Sequence, residues 1–158
     1  ELFGNVFATK AESKSKPLSL ADLDKLHPNL FEASIAALYK NQGFDVYLTP
    51  YSNDKGVDVV VLKNGENYLI QAKQTKSLVG NSAIQEICTA KKYYENKFKE
   101  EFNLITITNN DYTSSSTVLA NSNNIKLINR KTLETLIIQN NITIQDISKI
   151  ESQRMVRI

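Results

Sequence analysis

The segment GVDVVVLKNGENYLIQAK carries an aspartate, Asp58, near its first end, and a glutamine and a lysine, Gln71 and Lys73, at its last. An acid, an amide and an amine form a site-like set if the chain gathers them: two opposite charges, with an amide that both donates and accepts. The central Asn64-Gly65 is what gathers them. Asn-Gly between two β-prone runs marks a two-residue hairpin loop, because both loop residues of a type I′ turn need positive φ. With that loop Lys63 pairs with Glu66, and Asp58 falls opposite Gln71. Opposed residues share a face with Cβ atoms roughly 5 Å apart. Lys73, two residues beyond Gln71, lies on that face as well.

A plainer reading stays open on these residues alone. Strand ends are often polar, and an exposed Asp58–Lys73 ion pair would contribute only about 0–1 kcal/mol. Against it, the runs VDVVVL and YLIQA are close to continuously apolar, as in strands covered on both faces. Polar groups closing such strands are placed rather than merely tolerated.

The rest of the chain must position this set. Its 158 residues are enough for one domain with a sizeable core. A composition 41% hydrophobic and 23% charged is that of a soluble globular protein. No run approaches the ~20 apolar residues of a membrane span, and the start ELFGNVFATKAESKSKP lacks the apolar core of a signal peptide. The single cysteine, Cys88, excludes an internal disulfide and fits a reducing, cytoplasmic interior. Its neighbours Ile84, Ile87 and Ala90 predict a packed core thiol. The chain begins at Glu rather than Met, which fits a processed form or an excised domain. A net charge of +2 does not demand a polyanionic partner. Lys73, Lys76, Lys91, Lys92, Lys97 and Lys99 follow the hairpin, but Glu95, Glu100 and Glu101 dilute them.

Residues 1 to 18 mix Lys, Ser and Ala around Pro17 and read as a lead-in, with a short helix over Leu18–Leu26. Helical spacing of Leu30, Phe31, Ser34, Ile35, Leu38 and Tyr39 predicts a helix after Pro28 that stops at Gly43. A strand over Phe44–Thr49, a polar loop over Tyr51–Lys55 and the hairpin follow. Beyond Asn81 come a long helix, a buried strand over Phe102–Thr108, a helix over Ser114–Asn121, a strand over Ile125–Ile128 and a helix over Lys131–Ile138. From Asn141 the pattern loosens. This order predicts an α/β domain with one central sheet covered on both faces.

Several segments, in order, then carry a resemblance. They are Phe31-Glu32 opening a helix, Gly43-Phe44 before a strand, Ser52-Asn53-Asp54-Lys55-Gly56-Val57-Asp58, Gln71-Ala72-Lys73, and Gln85-Glu86 in the next helix. Together they resemble the catalytic domain of Mrr-like restriction endonucleases, a QxK branch of the PD-(D/E)xK nuclease superfamily. Ile105-Thr106, Tyr112-Thr113 and Ile125 to Arg130 fit that family's ending. The resemblance implies a restriction-endonuclease-like α/β fold, with a mixed central sheet flanked by helices on both faces. It places the nuclease domain at 28–139, a lead-in or linker at 1–27, and at 140–158 a tail leading toward a further domain.

The resemblance also implies a chemistry: hydrolysis of DNA phosphodiester bonds with Mg²⁺, for which Mn²⁺ can substitute, in restriction or anti-phage defence. Asp58 matches the metal-binding aspartate, Lys73 the catalytic lysine, and Glu32 an acid on the first helix that faces the site. Gln71 stands where most of the superfamily has Glu or Asp. Asp58, Gln71 and the Ala72 carbonyl would hold the metal, with Glu32 reached through water, a donor set that suits a hard cation. Gln85, Lys76 and Asp54 are the expected DNA-side residues. Gln71 removes one negative charge and favours one metal over two, while remaining the pattern of the QxK branch. His27, the only histidine, precedes Pro28 in a loop and is not assigned to the site.

A DNA-binding or scaffolding domain of the same fold, without cleavage, is the competing reading, and a nuclease acting on RNA or branched DNA is a third. An acid beside a phosphate serves a nuclease and would repel DNA from a mere binder. No zinc-ligand spacing, helix-turn-helix signature or P-loop is present. Specificity is therefore expected from another domain, from a partner protein or from homodimerisation.

Overall fold

The computed structural model describes residues 16–156. A five-stranded mixed sheet runs in the order β1-β2-β3-β4-β5. Its strands are β1 (Asp45–Leu48), β2 (Val59–Leu62), β3 (Tyr68–Lys73), β4 (Asn103–Thr108) and β5 (Ile125–Ile128). The first three strands pair antiparallel, and β3, β4 and β5 run parallel. This is the α/β architecture expected from the sequence.

The β2–β3 turn forms as its residues dictate. Asn64 and Gly65 take φ of 48° and 84°, and the Glu66 N–H closes the turn on the Lys63 carbonyl at 2.8 Å. Val59 then pairs with Ile70, Val60 with Leu69 and Val61 with Tyr68, the expected register. The ladder stops one step short of Asp58, whose N–H bonds to the Ile70 carbonyl at 2.9 Å instead of joining a pair with Gln71.

Alternation along the strands feeds two cores. Val59, Val61, Ile70, Ile105, Ile107 and Ile128 pack on one face with α2 (Pro28–Asn41) and α5 (Arg130–Asn140). Val60, Leu69, Leu104 and Ile125 pack on the other with α3 (Asn81–Phe98) and α4 (Ser114–Ser122). Gln71, Lys73 and Thr106 fall in the alternation of the α3 face. Cys88 flanks this second core half-buried, not sealed within it as its neighbours in sequence predict.

Helix α2 is buried nearly all round, because α6 (Ile144–Glu151) covers its outer side. Where the sequence pattern was read as loosening, Thr143 and Asp146 form a reciprocal capping box, and Ile147 and Ile150 join the α2 core. The helix is short, and its apolar spacing becomes meaningful only beside α2. The short helix expected near Leu20 is α1 (Leu20–Leu23), also opened by a capping box, from Ser19 and Asp22. His27 caps α2, its Nδ1 accepting the Asn29 N–H at 3.3 Å. Among the described residues no helix is long and apolar enough to cross a membrane.

Candidate active site

The site forms where β2 begins and β3 ends, against α2 and α3. Asp58 reaches it from the loop before β2, and two contacts hold that loop. The Asp54 carboxylate accepts the Gly56 N–H at 2.8 Å, and the Tyr94 hydroxyl of α3 donates to the Asp54 carbonyl. Gly56 takes a φ of 80°, and a Cβ there would lie 3.0 Å from the Glu86 Cβ, so only glycine lets the loop lie this close to α3.

Asp58 Oδ2 accepts the Ala72 backbone N–H at 2.7 Å. The carboxylate therefore docks on the strand between Gln71 and Lys73. Burial, with Glu32 and then Asp54 nearby, pushes the Asp58 carboxyl up to about 7, although the Ala72 hydrogen bond and Lys73 oppose the rise. Desolvation and neighbouring acids both disfavour its charged form.

Gln71 and Lys73 converge on one acceptor, Glu86, the neighbour of the expected Gln85. Glu86 Oε2 accepts from Gln71 Nε2 at 2.8 Å and from Lys73 Nζ at 3.3 Å. Gln85 is exposed and bonds to neither; Glu86 faces the strand. The Gln71 amide is thereby oriented with Nε2 toward α3, and Oε1 is left buried without a partner. Its neighbour in register on β4, Thr106, also has a buried hydroxyl without a partner. Buried polar atoms are ordinarily satisfied, so these two oxygens are open to a water, an ion or another partner.

Glu32 is half-buried on α2 and bound by Arg154 Nη1 at 2.9 Å. Burial outweighs this ion pair and pushes the Glu32 carboxyl up. Arg154 was not among the residues expected to matter, since it lies far along the chain in the supposed tail. Lys76 is exposed and lines a neighbouring open cleft of about 660 Å³ with Gln74, Thr75, Asn109, Asn110, Asp24 and Arg130. Asp24 and Arg130 close one side of that cleft with a 2.8 Å ion pair.

A restriction endonuclease family model, that of the Mrr catalytic domain, matches residues 23–137. The chain belongs to this family. The Mrr-type domain is also similar in fold to the MspJI restriction endonuclease solved with a 27-mer oligonucleotide, with a TM-score of 0.56 and 16% identity over 96% of this chain and 38% of that one. A second similar structure is the protein of unknown function AF1548, with a TM-score of 0.53 and 18% identity over 65% of this chain and 58% of that one. The Mrr-type domain thus spans less than two thirds of either chain. No curated protein sequence matches it.

The donor set of the Mrr-type domain fits a hard cation. Among the described residues no three His, Cys, Asp or Glu side chains form a group that could hold a metal ion, so the candidate donors include an amide and a backbone oxygen. Asp58 is a buried carboxyl beside further acids, Gln71 offers an unpartnered oxygen, and Ala72 brings a backbone carbonyl between Gln71 and Lys73. Oxygen donors of this kind suit Mg²⁺ or Mn²⁺.

Proposed function

We propose that this domain is a Mg²⁺-dependent endonuclease that hydrolyses phosphodiester bonds in DNA, in a restriction or defence role. The observation that carries the proposal is the docking of the buried Asp58 carboxyl on the Ala72 N–H, between Gln71 and Lys73, within a chain of the restriction endonuclease family. Asp58, Gln71 Oε1 and the Ala72 carbonyl would hold the cation, with Glu32 in reach through water. When bound, the divalent ion supplies Lewis-acid charge to the scissile phosphate and lowers the pKa of an attacking water.

The chain's own groups do the remainder. Asp58 is fixed by the Ala72 N–H, so its free oxygen points with little loss of entropy on binding. Lys73 brings an ammonium to the phosphate, where charge grows in the transition state, and its Nζ orients the attacking water. Glu86 keeps that ammonium and the Gln71 amide in register along β3. Gln71 contributes an oxygen without a charge, so the site balances one divalent ion rather than two. DNA would approach over Lys73, Lys76 and the adjoining polar cleft, and Gln85 is exposed toward solvent on α3. A further domain, a partner protein or a second copy would set the target sequence.

The test is cleavage of supercoiled, linear and single-stranded DNA, and of an RNA control, with Mg²⁺, Mn²⁺ or EDTA. Cutting of DNA only in the presence of the cation supports the proposal. Cation-dependent cutting of RNA alone would move the substrate class. Tight DNA binding without cutting under every condition would favour the scaffolding reading.

A further inference from the structure

Beyond the family-matched residues 23–137, the chain returns to the site through a single side chain. After α6, the Met155 N–H bonds to the Leu48 carbonyl at 3.0 Å and lays the segment along the end of β1. Arg154 turns inward there, its side chain only 4% exposed. Nη1 donates to Glu32 Oε2 and to the Thr49 carbonyl, each at 2.9 Å. Nη2 donates to the Asn29 carbonyl at 3.0 Å and to Glu151 at 2.8 Å, while Nε faces Glu151 at 3.2 Å. The guanidinium also lies 4.6 Å from the Tyr51 ring centroid. All five of its donors are thereby used, which only a planar, forked cation can do.

Two of these bonds lead to the site. Glu32 is the acid whose charge helps to raise Asp58, and among the described residues Arg154 is its one ion-pair partner. Thr49, whose carbonyl Arg154 holds, passes its own N–H to the Asp58 carbonyl at 3.0 Å and its hydroxyl to the Val57 carbonyl at 2.6 Å. One side chain therefore sets both the Glu32 carboxylate and the backbone that carries Asp58. An anchor needed only to dock α6 could use Glu151 and the carbonyls, without directing a donor at Glu32.

We infer that Arg154 is a positioning residue of the active site, holding Glu32 and the Thr49–Asp58 segment in the arrangement that receives the divalent cation. The inference rests on the proposed metal-dependent reading of that site. Arg154's five donors are all spent on protein groups, so it acts through Glu32 and Thr49. Removing an outer partner of this kind weakens metal binding or activity by roughly 10- to 100-fold in metal sites generally.

The test compares wild type, Arg154→Met and Arg154→Lys by Mn²⁺ titration calorimetry without DNA, and by kcat and KM for DNA cleavage. Circular dichroism establishes the temperature at which each variant is folded. The expected result is Mn²⁺ binding and kcat each reduced by roughly 10- to 100-fold, with KM for DNA unchanged. In a Glu32→Gln background the same change at Arg154 should cost markedly less, because the two residues act together. Arg154→Lys keeps the charge but not the fork and should behave like Arg154→Met; if Arg154→Met does not fold, the lysine variant decides. Unchanged or tighter Mn²⁺ binding in a folded variant would overturn the inference, since loss of a merely repulsive neighbouring cation tightens binding. Equal losses with and without Glu32 would also overturn it. A wild type that binds Mn²⁺ without cutting leaves the calorimetric comparison decisive, whereas one that neither binds nor cuts overturns the metal-dependent reading and this inference together.

Discussion

Asp58 accepts the Ala72 backbone N–H at 2.7 Å, so the acid just before β2 is bonded to the residue that separates Gln71 from Lys73 on β3. That bond replaces the last rung of the ladder, which ends at Val59 and Ile70. The β2–β3 pairing parts there, beside the backbone of Asp58, Gln71 and Ala72, while β3 stays paired with β4 as far as Lys73. A longer regular ladder would have committed these backbone groups to each other.

The pH response of the metal-free protein follows from the burial of Asp58, against which the Ala72 bond works. The Asp58 carboxyl is raised from 3.8 to about 7 in the folded state, chiefly by burial and then by Glu32. The folded protein therefore holds this proton more tightly than the unfolded chain does. Stability from this group is fully present below pH 3.8 and is lost as pH rises through about 7. In EDTA the melting temperature should fall between pH 5 and pH 8, and Mg²⁺ should raise it more at pH 8 than at pH 5. Asp58→Asn should flatten both responses. A wild-type melting curve indifferent to Mg²⁺ at pH 8 would count against a cation at Asp58.

Glu86 should matter to cleavage far more than to folding. Its pair with Lys73 is about half exposed, a setting in which ion pairs add at most about 1 kcal/mol. Glu86→Ala should leave the melting temperature nearly unchanged while freeing the Gln71 amide and the Lys73 ammonium together. Cleavage is expected to drop by roughly 10- to 100-fold, as for other groups that orient metal ligands. Parallel measurement of melting and kcat would show this. Equal, small effects on both would mean that Glu86 is only a surface partner.

Gly56→Ala tests the loop behind Asp58. The substitution places a Cβ 3.0 Å from the Glu86 Cβ on a backbone with φ of 80°. Left-handed backbone alone costs a non-glycine residue about 1–2 kcal/mol. Denaturant melts should therefore show a loss of at least that size. Asp58 and Glu86 would be displaced together, so cleavage should fall even at temperatures where the variant is folded. An alanine variant as stable and active as wild type would mean that the loop adapts freely.

Much of this was legible in the sequence because it is local. Asn64-Gly65 demands its turn, the turn sets the register, and the register carries Gln71 and Lys73 to the α3 side. The buried strands show as apolar runs, and α2 shows by its helical spacing. The parts that escaped depend on distant partners. Glu86 and Gln85 are adjacent in sequence, and only the packing of α3 on β3 decides which of them faces Gln71. Helix α6 carried a usable local signal in Thr143 and Asp146, a capping box followed by isoleucines at helical spacing. Arg154 carried none: its meaning comes from Glu32 on α2 and Thr49 beyond β1, far away in sequence.

The central claim is metal-dependent cleavage driven by Asp58 and Lys73. The most direct measurement is the conversion of supercoiled plasmid to open and linear forms by wild type, Asp58→Asn and Lys73→Ala in Mg²⁺, with each variant shown to be folded. Wild type should cut in a manner that EDTA abolishes, neither variant should cut, and Mn²⁺ binding should be lost in Asp58→Asn but not in Lys73→Ala. Cutting by the Lys73→Ala protein at the wild-type rate, or wild-type cutting that persists in EDTA, would contradict the central claim.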